Sequence, residues 1–342
     1  MKFFSRVAPV LLGVSSLVQA ATVALRNNNG QNGEFFTEFI AALEHNNLTT
    51  LADNYKKISK TEEGKPVIEF LENNKELTLL APENCAFDQD HPYIDPDVLL
   101  YSTLWGSVDN RFQKGSHTRR GPSDSRDIAN SGFQRRSAPA NRKRSAPSDS
   151  KYQVIDQFFT FDSWKRWVND RLILVDRAVG NAKVVGRFTF RGIIVLIIDT
   201  VLTLPERVSE LLSKPLIKLA PNGFVKFGEA LKKANLLDLV DKRDEITIFA
   251  PIDDEFCDID KFSKDELSSF VKNHFFFGKI VFSPLFPKIG QATAESGKKL
   301  EFFFENDIHY VSCGKSRAVV LRRDVIPANG VLHVIDRPLK CD

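Results

Sequence analysis

Two stretches of this chain spell one pattern: Leu77-Thr78-Leu79-Leu80-Ala81-Pro82 followed by Phe87, and Ile246-Thr247-Ile248-Phe249-Ala250-Pro251 followed by Phe256. Each is a run of aliphatic, β-branched and aromatic residues, the makeup of a buried strand, closed where proline removes a backbone donor and fixes φ. Each is preceded by apolar residues at three- and four-residue spacing, which predicts a helix: Phe35, Phe36, Phe39, Ile40 and Leu43 in one half, Phe224, Phe227 and Leu231 in the other. The halves also end alike, Val195-Leu196-Ile197-Ile198-Asp199 matching Leu332-His333-Val334-Ile335-Asp336. Such a repeat predicts two copies of one α+β unit, over residues 25–205 and 206–342, and 342 residues are enough for two cores.

Between the repeated parts lies a basic segment. Residues 113–151 hold ten Lys/Arg against three Asp, few apolar residues and many serines, a composition that predicts a disordered insertion. Dibasic pairs end at Arg120, Arg136 and Arg144, the candidate kexin cleavage sites. Without this segment and the first twenty residues the chain is net acidic, so no basic face for a nucleic-acid backbone is expected.

The first twenty residues begin with Lys2 and Arg6, continue through an apolar stretch and end in Val18-Gln19-Ala20, which reads as a signal peptide cleaved after Ala20. Residues 192–204 are apolar but are interrupted by Asp199 and too short to span a bilayer, so they read as a buried strand, and no transmembrane segment is expected in the mature chain. The expected location is the secretory pathway, ending outside the cell or in the wall, with the vacuolar lumen as the alternative. In that oxidising setting Cys85, Cys257, Cys313 and Cys341 are candidates for two disulfides, with three connectivities open. Asn47-Leu48-Thr49 is an N-glycosylation sequon.

In the second half, the strand ending in Ala250-Pro251 with Phe256, the run Asn329-Gly330-Val331-Leu332-His333-Val334-Ile335-Asp336-Arg337-Pro338-Leu339, and Leu267 to Phe277 with Asn273-His274 inside it resemble the signatures of the fasciclin-domain family, in its two-domain fungal secretory-pathway form. The first half keeps Ala81-Pro82 and Phe87. It has Leu100-Tyr101-Ser102 where the family has its Tyr-His segment, and Arg191-Gly192-Ile193 in place of Asn-Gly. The resemblance implies two wedge-shaped β-sandwich domains with flanking helices, and adhesion to a cell-surface or wall glycoprotein or polysaccharide rather than catalysis. It also implies that Asn273, His274 and Phe275, where the family has its Tyr-His segment, contact the partner. Two other roles fit the same sequence: a vacuolar-lumen protein of membrane traffic or turnover, and a precursor from which kexin releases peptides of 113–151.

Other chemistry finds little support. Gly314-Lys315-Ser316 lacks the upstream glycine of a phosphate loop, and the sequence holds neither a Gly-x-Ser-x-Gly elbow nor a His-Glu-x-x-His helix. Asp253-Asp254-Glu255 lacks the glycine and spacing of a calcium loop and reads as an exposed acidic turn. His333 lies on an alternating strand and reads as a structural imidazole. Asn329-Gly330 reads as a turn tolerant of positive φ. No cofactor and no metal are expected.

Overall fold

A computed structural model describes residues 32–108, 125–134, 150–159, 171–254, 256 and 261–341. The signal-peptide stretch with Ala20, the cleavage candidates Arg120, Arg136 and Arg144, and Cys257 lie outside the described residues.

The chain is α+β. In the first body, helices α1 (Asn32–His45), α2 (Thr49–Ile58) and α3 (Lys65–Asn73) lead into strand β1 (Leu77–Pro82), followed by α4 (Pro96–Tyr101) and β2 (Thr103–Trp105). Strands β3 (Ser125–Gln134), β4 (Ser150–Phe159), β5 (Arg171–Asp176), β6 (Asn181–Phe190) and β7 (Ile193–Ile198) complete it. The second body runs through α5 (Val208–Leu211), α6 (Val225–Lys233), α7 (Leu237–Lys242), β8 (Ile246–Pro251), α8 (Lys264–Lys272), β9 (Phe275–Phe276) and α9 (Phe286–Ile289). It ends in β10 (Gln291–Thr293), β11 (Lys299–Glu305), β12 (Ile308–Cys313), β13 (Ser316–Val325) and β14 (Gly330–Ile335).

The two Ala-Pro strands are buried at every position, and each lies between a parallel strand from the end of its own body and a short antiparallel one. Thus β1 pairs with β7 and β2, and β8 pairs with β14 and β9. Ala81 sits opposite Ile197 and Ala250 opposite Val334, the same register in both. The hydrogen bonds around these strands also repeat. Thr78 and Thr247 each donate through Oγ1 at 2.8 Å, to the carbonyls of Gly106 and Lys279, and each accepts an N–H, from Val108 and Val281. The N–H of Leu80 bonds Ser102 O at 2.8 Å, and that of Phe249 bonds His274 O at 2.8 Å.

Burial on both faces gives each body two apolar layers. One face of β1 packs on the helices through Leu77, Leu79 and Ala81, and Leu80 points into the strands with Leu104, Ile155, Val175 and Leu196. One face of β8 packs on the helices through Ile246, Ile248 and Ala250, and Phe249 points to Phe286, Phe302, Val311 and Ile335.

Two expectations need correction. Hydrogen bonding closes β1–β7 into a barrel, whereas β8–β14 form a seven-stranded sheet in the order β10-β11-β12-β13-β14-β8-β9, so a pair of like sandwiches is not what the first body displays. The segment 113–151, expected to be a disordered insertion, contains β3 and the start of β4, paired from Ser125↔Gln157 through Asn130↔Tyr152. Its low apolar content misleads because Ala129 and Ser131 are buried by neighbouring elements, while Arg126 is neutralised by Asp156 through two charge-assisted bonds of 2.6 and 2.7 Å.

Candidate functional site

Helix α8 starts at a capping box, Ser263 accepting the Glu266 N–H while Glu266 accepts the Ser263 N–H, and ends at Asn273. The chain then turns inward. His274 has no exposed surface, and Asn273 and Phe275 are buried with it. The His274 Nδ1–H donates to Phe270 O at 3.1 Å and Nε2 accepts the Leu339 N–H at 2.9 Å, while the rings of Phe227 and Phe270 pack against the imidazole. Asn273 Nδ2 donates to Leu339 O at 3.3 Å. Burial pushes the His274 pKa down to about 4, so the ring is neutral and its tautomer is set by its two partners. The expectation that Asn273, His274 and Phe275 form a partner contact is therefore corrected: all three are buried, Asn273 and His274 bonding Leu339 of the C-terminal segment and Phe275 pairing with Ile248 of β8.

That segment is also held covalently, because Cys313 and Cys341 form a disulfide. Cys85, a candidate for a second bridge, is an exposed free thiol whose pKa is raised first by its hydrogen bond to Glu83, so it is not an activated nucleophile.

His333 on β14 is equally enclosed. Its Nε2–H donates to Val281 O at 2.9 Å and its Nδ1 accepts the Asp324 N–H at 3.3 Å. The Asp324 carboxylate accepts from Ser283 N at 2.7 Å and Ser283 Oγ at 2.5 Å. A serine, a histidine and an aspartate thus meet, but wired unlike a hydrolytic triad. The hydroxyl gives its proton to the carboxylate rather than to the imidazole, and neither imidazole nitrogen is free to serve as a base toward serine. All three are buried. Burial pushes the His333 pKa down; for Asp324, burial is outweighed by the Arg126 charge and the Ser283 hydrogen bonds, and its carboxyl stays below the ordinary range.

Asn329 and Gly330 serve differently from expectation. Gly330 does not have positive φ; it faces Ile246 in the parallel β8–β14 ladder, where a Cβ would lie 1.9 Å from Ile246 O. Asn329 Nδ2 donates to Val240 O and Arg243 O, each at 2.7 Å, satisfying carbonyls at the end of α7. Asp253 is likewise structural, since its carboxylate accepts the N–H groups of Val225 and Lys226 at 3.1 and 3.0 Å and so caps α6. Among the described residues no group of His, Cys, Asp and Glu could hold a metal ion.

What lies open is a sheet face that the sequence did not single out. On the outward side of β11, β12 and β13, Phe303, Tyr310 and Val319 form one cross-strand row, and Glu305 pairs with Ile308 beside it. Ile308 and Leu321 are exposed, and the Arg317 guanidinium lies 4.0 Å from the Tyr310 ring centre and 5.1 Å from that of Phe303 while pairing with Glu305 at 2.7 Å. The signal was there in the alternation of Phe302, Phe303 and Phe304: Phe302 points into the core and Phe303 outward, while Phe304, near the hairpin tip, is half-exposed against His309. Asn47 is exposed at the end of α1 with a left-handed φ of 60°, its side chain open to modification.

The family model of the fasciclin domain matches residues 222–341, the stretch holding β8, His274, β14 and the disulfide. Residues 222–341 are thus similar to a fasciclin domain. Among curated relatives, the fasciclin-like arabinogalactan protein elcF of Phaeosphaeria nodorum (strain SN15) is 29% identical over 123 residues, 35% of this chain, and the chain spans 38% of that relative's length. Among solved structures, a FAS1 domain pair from the insect cell adhesion molecule fasciclin I is similar at 18% identity and a TM-score of 0.38, covering 84% of this chain and 96% of the other. Among the described residues no helix is long and apolar enough to cross a membrane.

Proposed function

We propose that this is a non-enzymatic protein of cell-surface, wall or matrix contact, whose contact face is the outward side of β11–β13 and whose partner is a glycoprotein or polysaccharide. The observation that carries the reading is the row of Phe303, Tyr310 and Val319 with exposed Ile308 and Leu321, rimmed by Glu305 and Arg317. An apolar patch with a charged rim is the makeup of an interaction surface, since open apolar area is otherwise kept small and scattered. The internal engagement of His274, His333, Asp324 and Ser283 supports a role without catalysis. A wall setting is supported by the relative's description as an arabinogalactan protein. We also read residues 25–205 and 206–342 as two copies of one unit, a reading supported by the matching register and hydrogen bonds of β1 and β8.

The test is co-sedimentation of the purified protein with isolated cell walls and with membrane-free surface glycoprotein. Tyr310→Ser with Leu321→Ser should reduce binding about tenfold with melting nearly unchanged, since both side chains are at least partly exposed. Equal binding by parent and variant would remove this face from consideration.

A further inference from the structure

The two bodies meet through charge rather than through a shared apolar core. Among the described residues each apolar cluster lies within one body, apart from Ala178 of the first, which packs on the edge of the second. Among the described residues one aromatic pair crosses the seam, Tyr152 with Phe282 at 5.0 Å. The rest is ionic. Arg126 on β3, held by Asp156, donates through Nη1 to Asp324 Oδ2 at 3.0 Å and to Arg323 O at 3.1 Å. Arg322 reaches the other way, to Asp176 Oδ1 at 2.7 Å, Ala178 O at 2.7 Å and Arg177 O, and is itself braced by Leu216 O at 2.6 Å. Lys151 donates to Ala328 O.

These contacts converge on one irregularity. The β13–β14 pairing slips between Arg322 and Val325, and Asp324 sits there at a left-handed φ of 57°. A bulge re-aims side chains that a regular strand would leave in the ladder, and a non-glycine residue in this conformation persists only where its surroundings hold it. Here Ser283 and His333 hold Asp324 from behind while Arg126 takes it from the front.

We propose that the bulge of β13 is a clasp: Arg322 and Asp324 fix the first body in one orientation on the second, and loss of either cross-seam guanidinium lets the bodies part while each stays folded. Without a broad apolar interface, relative motion is the default for two packed units. The pairs are largely buried, with side-chain exposures of 11% for Arg126, 9% for Asp156 and Asp176, 17% for Arg322 and none for Asp324, so salt screens them little. Removing Arg126 leaves Asp324 buried without a guanidinium, and removing Arg322 leaves Asp176 with only the more distant Arg126 Nη2 at 3.6 Å; the least costly relief is for the seam to open and hydrate the carboxylate.

The experiment is a distance measurement by pulsed electron resonance on the full chain, with Cys257→Ser and spin labels on Cys85 and on Lys288→Cys, both exposed positions on different bodies. The parent should give one narrow distance distribution. Arg126→Gln and Arg322→Gln should each broaden it at least twofold with circular dichroism retained, and Arg126→Lys should fall between. A broad distribution in the parent, a narrow one in both Gln variants, or loss of folded structure in both would each overturn the clasp, the last because it would make the seam part of one cooperative core.

Discussion

His274 and Leu339 lie 65 residues apart and share one buried hydrogen bond, in which the neutral imidazole Nε2 accepts the Leu339 N–H at 2.9 Å. Protonation would put a donor against a donor and place a charge among Phe227 and Phe270.

Stability should therefore fall with acid in a defined window. The folded-state pKa of His274 is pushed down to about 4 from 6.5, so the unfolded chain takes up the proton first. The contribution is fully present above about pH 6.5 and is lost as pH falls toward 4, by up to roughly 3 kcal/mol. Thermal melts of the parent and of His274→Gln between pH 7 and pH 4 check this: the variant should be less stable at pH 7 and lose less on acidification. Parallel slopes would show that another group governs the acid limb.

Gly330→Ala should cost about 3 kcal/mol or more, because its Cβ would lie 1.9 Å from Ile246 O in a ladder that is central to the sheet. Gly33→Ala, with open space around the added methyl, is the control and should be near neutral. Denaturant melts of both variants provide the comparison.

Reduction of the Cys313–Cys341 bond, which closes a separation of 28 residues, should lower stability by about 3 kcal/mol. Cys313→Ser with Cys341→Ser should melt at the temperature of the reduced parent. A variant melting with the oxidised protein would mean that the bond contributes nothing beyond the His274 and Asn273 contacts to the same segment.

Asp253→Ala should destabilise by about 1 kcal/mol through loss of the cap on α6, with no dependence on calcium. Melting in millimolar calcium and in chelator separates this from a metal role: a calcium-dependent midpoint in the parent would contradict the capping assignment.

Parts of the molecule were legible in the chain itself. The helix carrying Phe35, Phe39 and Leu43, the strands ending in Ala81-Pro82 and Ala250-Pro251, and the buried strand Ile193–Ile198 follow from periodicity and from what proline does to a backbone, both local properties. The pairing of Cys313 with Cys341 and the burial of His274 were not legible, since spacing says nothing about which distant segment closes over a side chain. The strand Ser125–Gln134 was hidden for a related reason: its few apolar residues suffice only because Arg126 finds Asp156 and Asp324 waiting.

The amino-acid order alone determined the repeated Ala-Pro strands, the helices before them and the likeness to the fasciclin domain, because those depend on neighbours within a few residues. Tertiary structure alone decided that His274 is a fastening and not a contact, that Gly330 is there for close approach and not for a turn, and that Asp324 faces Arg126 across the seam. Burial, desolvation and charge pairing act on whatever the folded chain brings together, and Arg126 and Asp324 stand 198 positions apart.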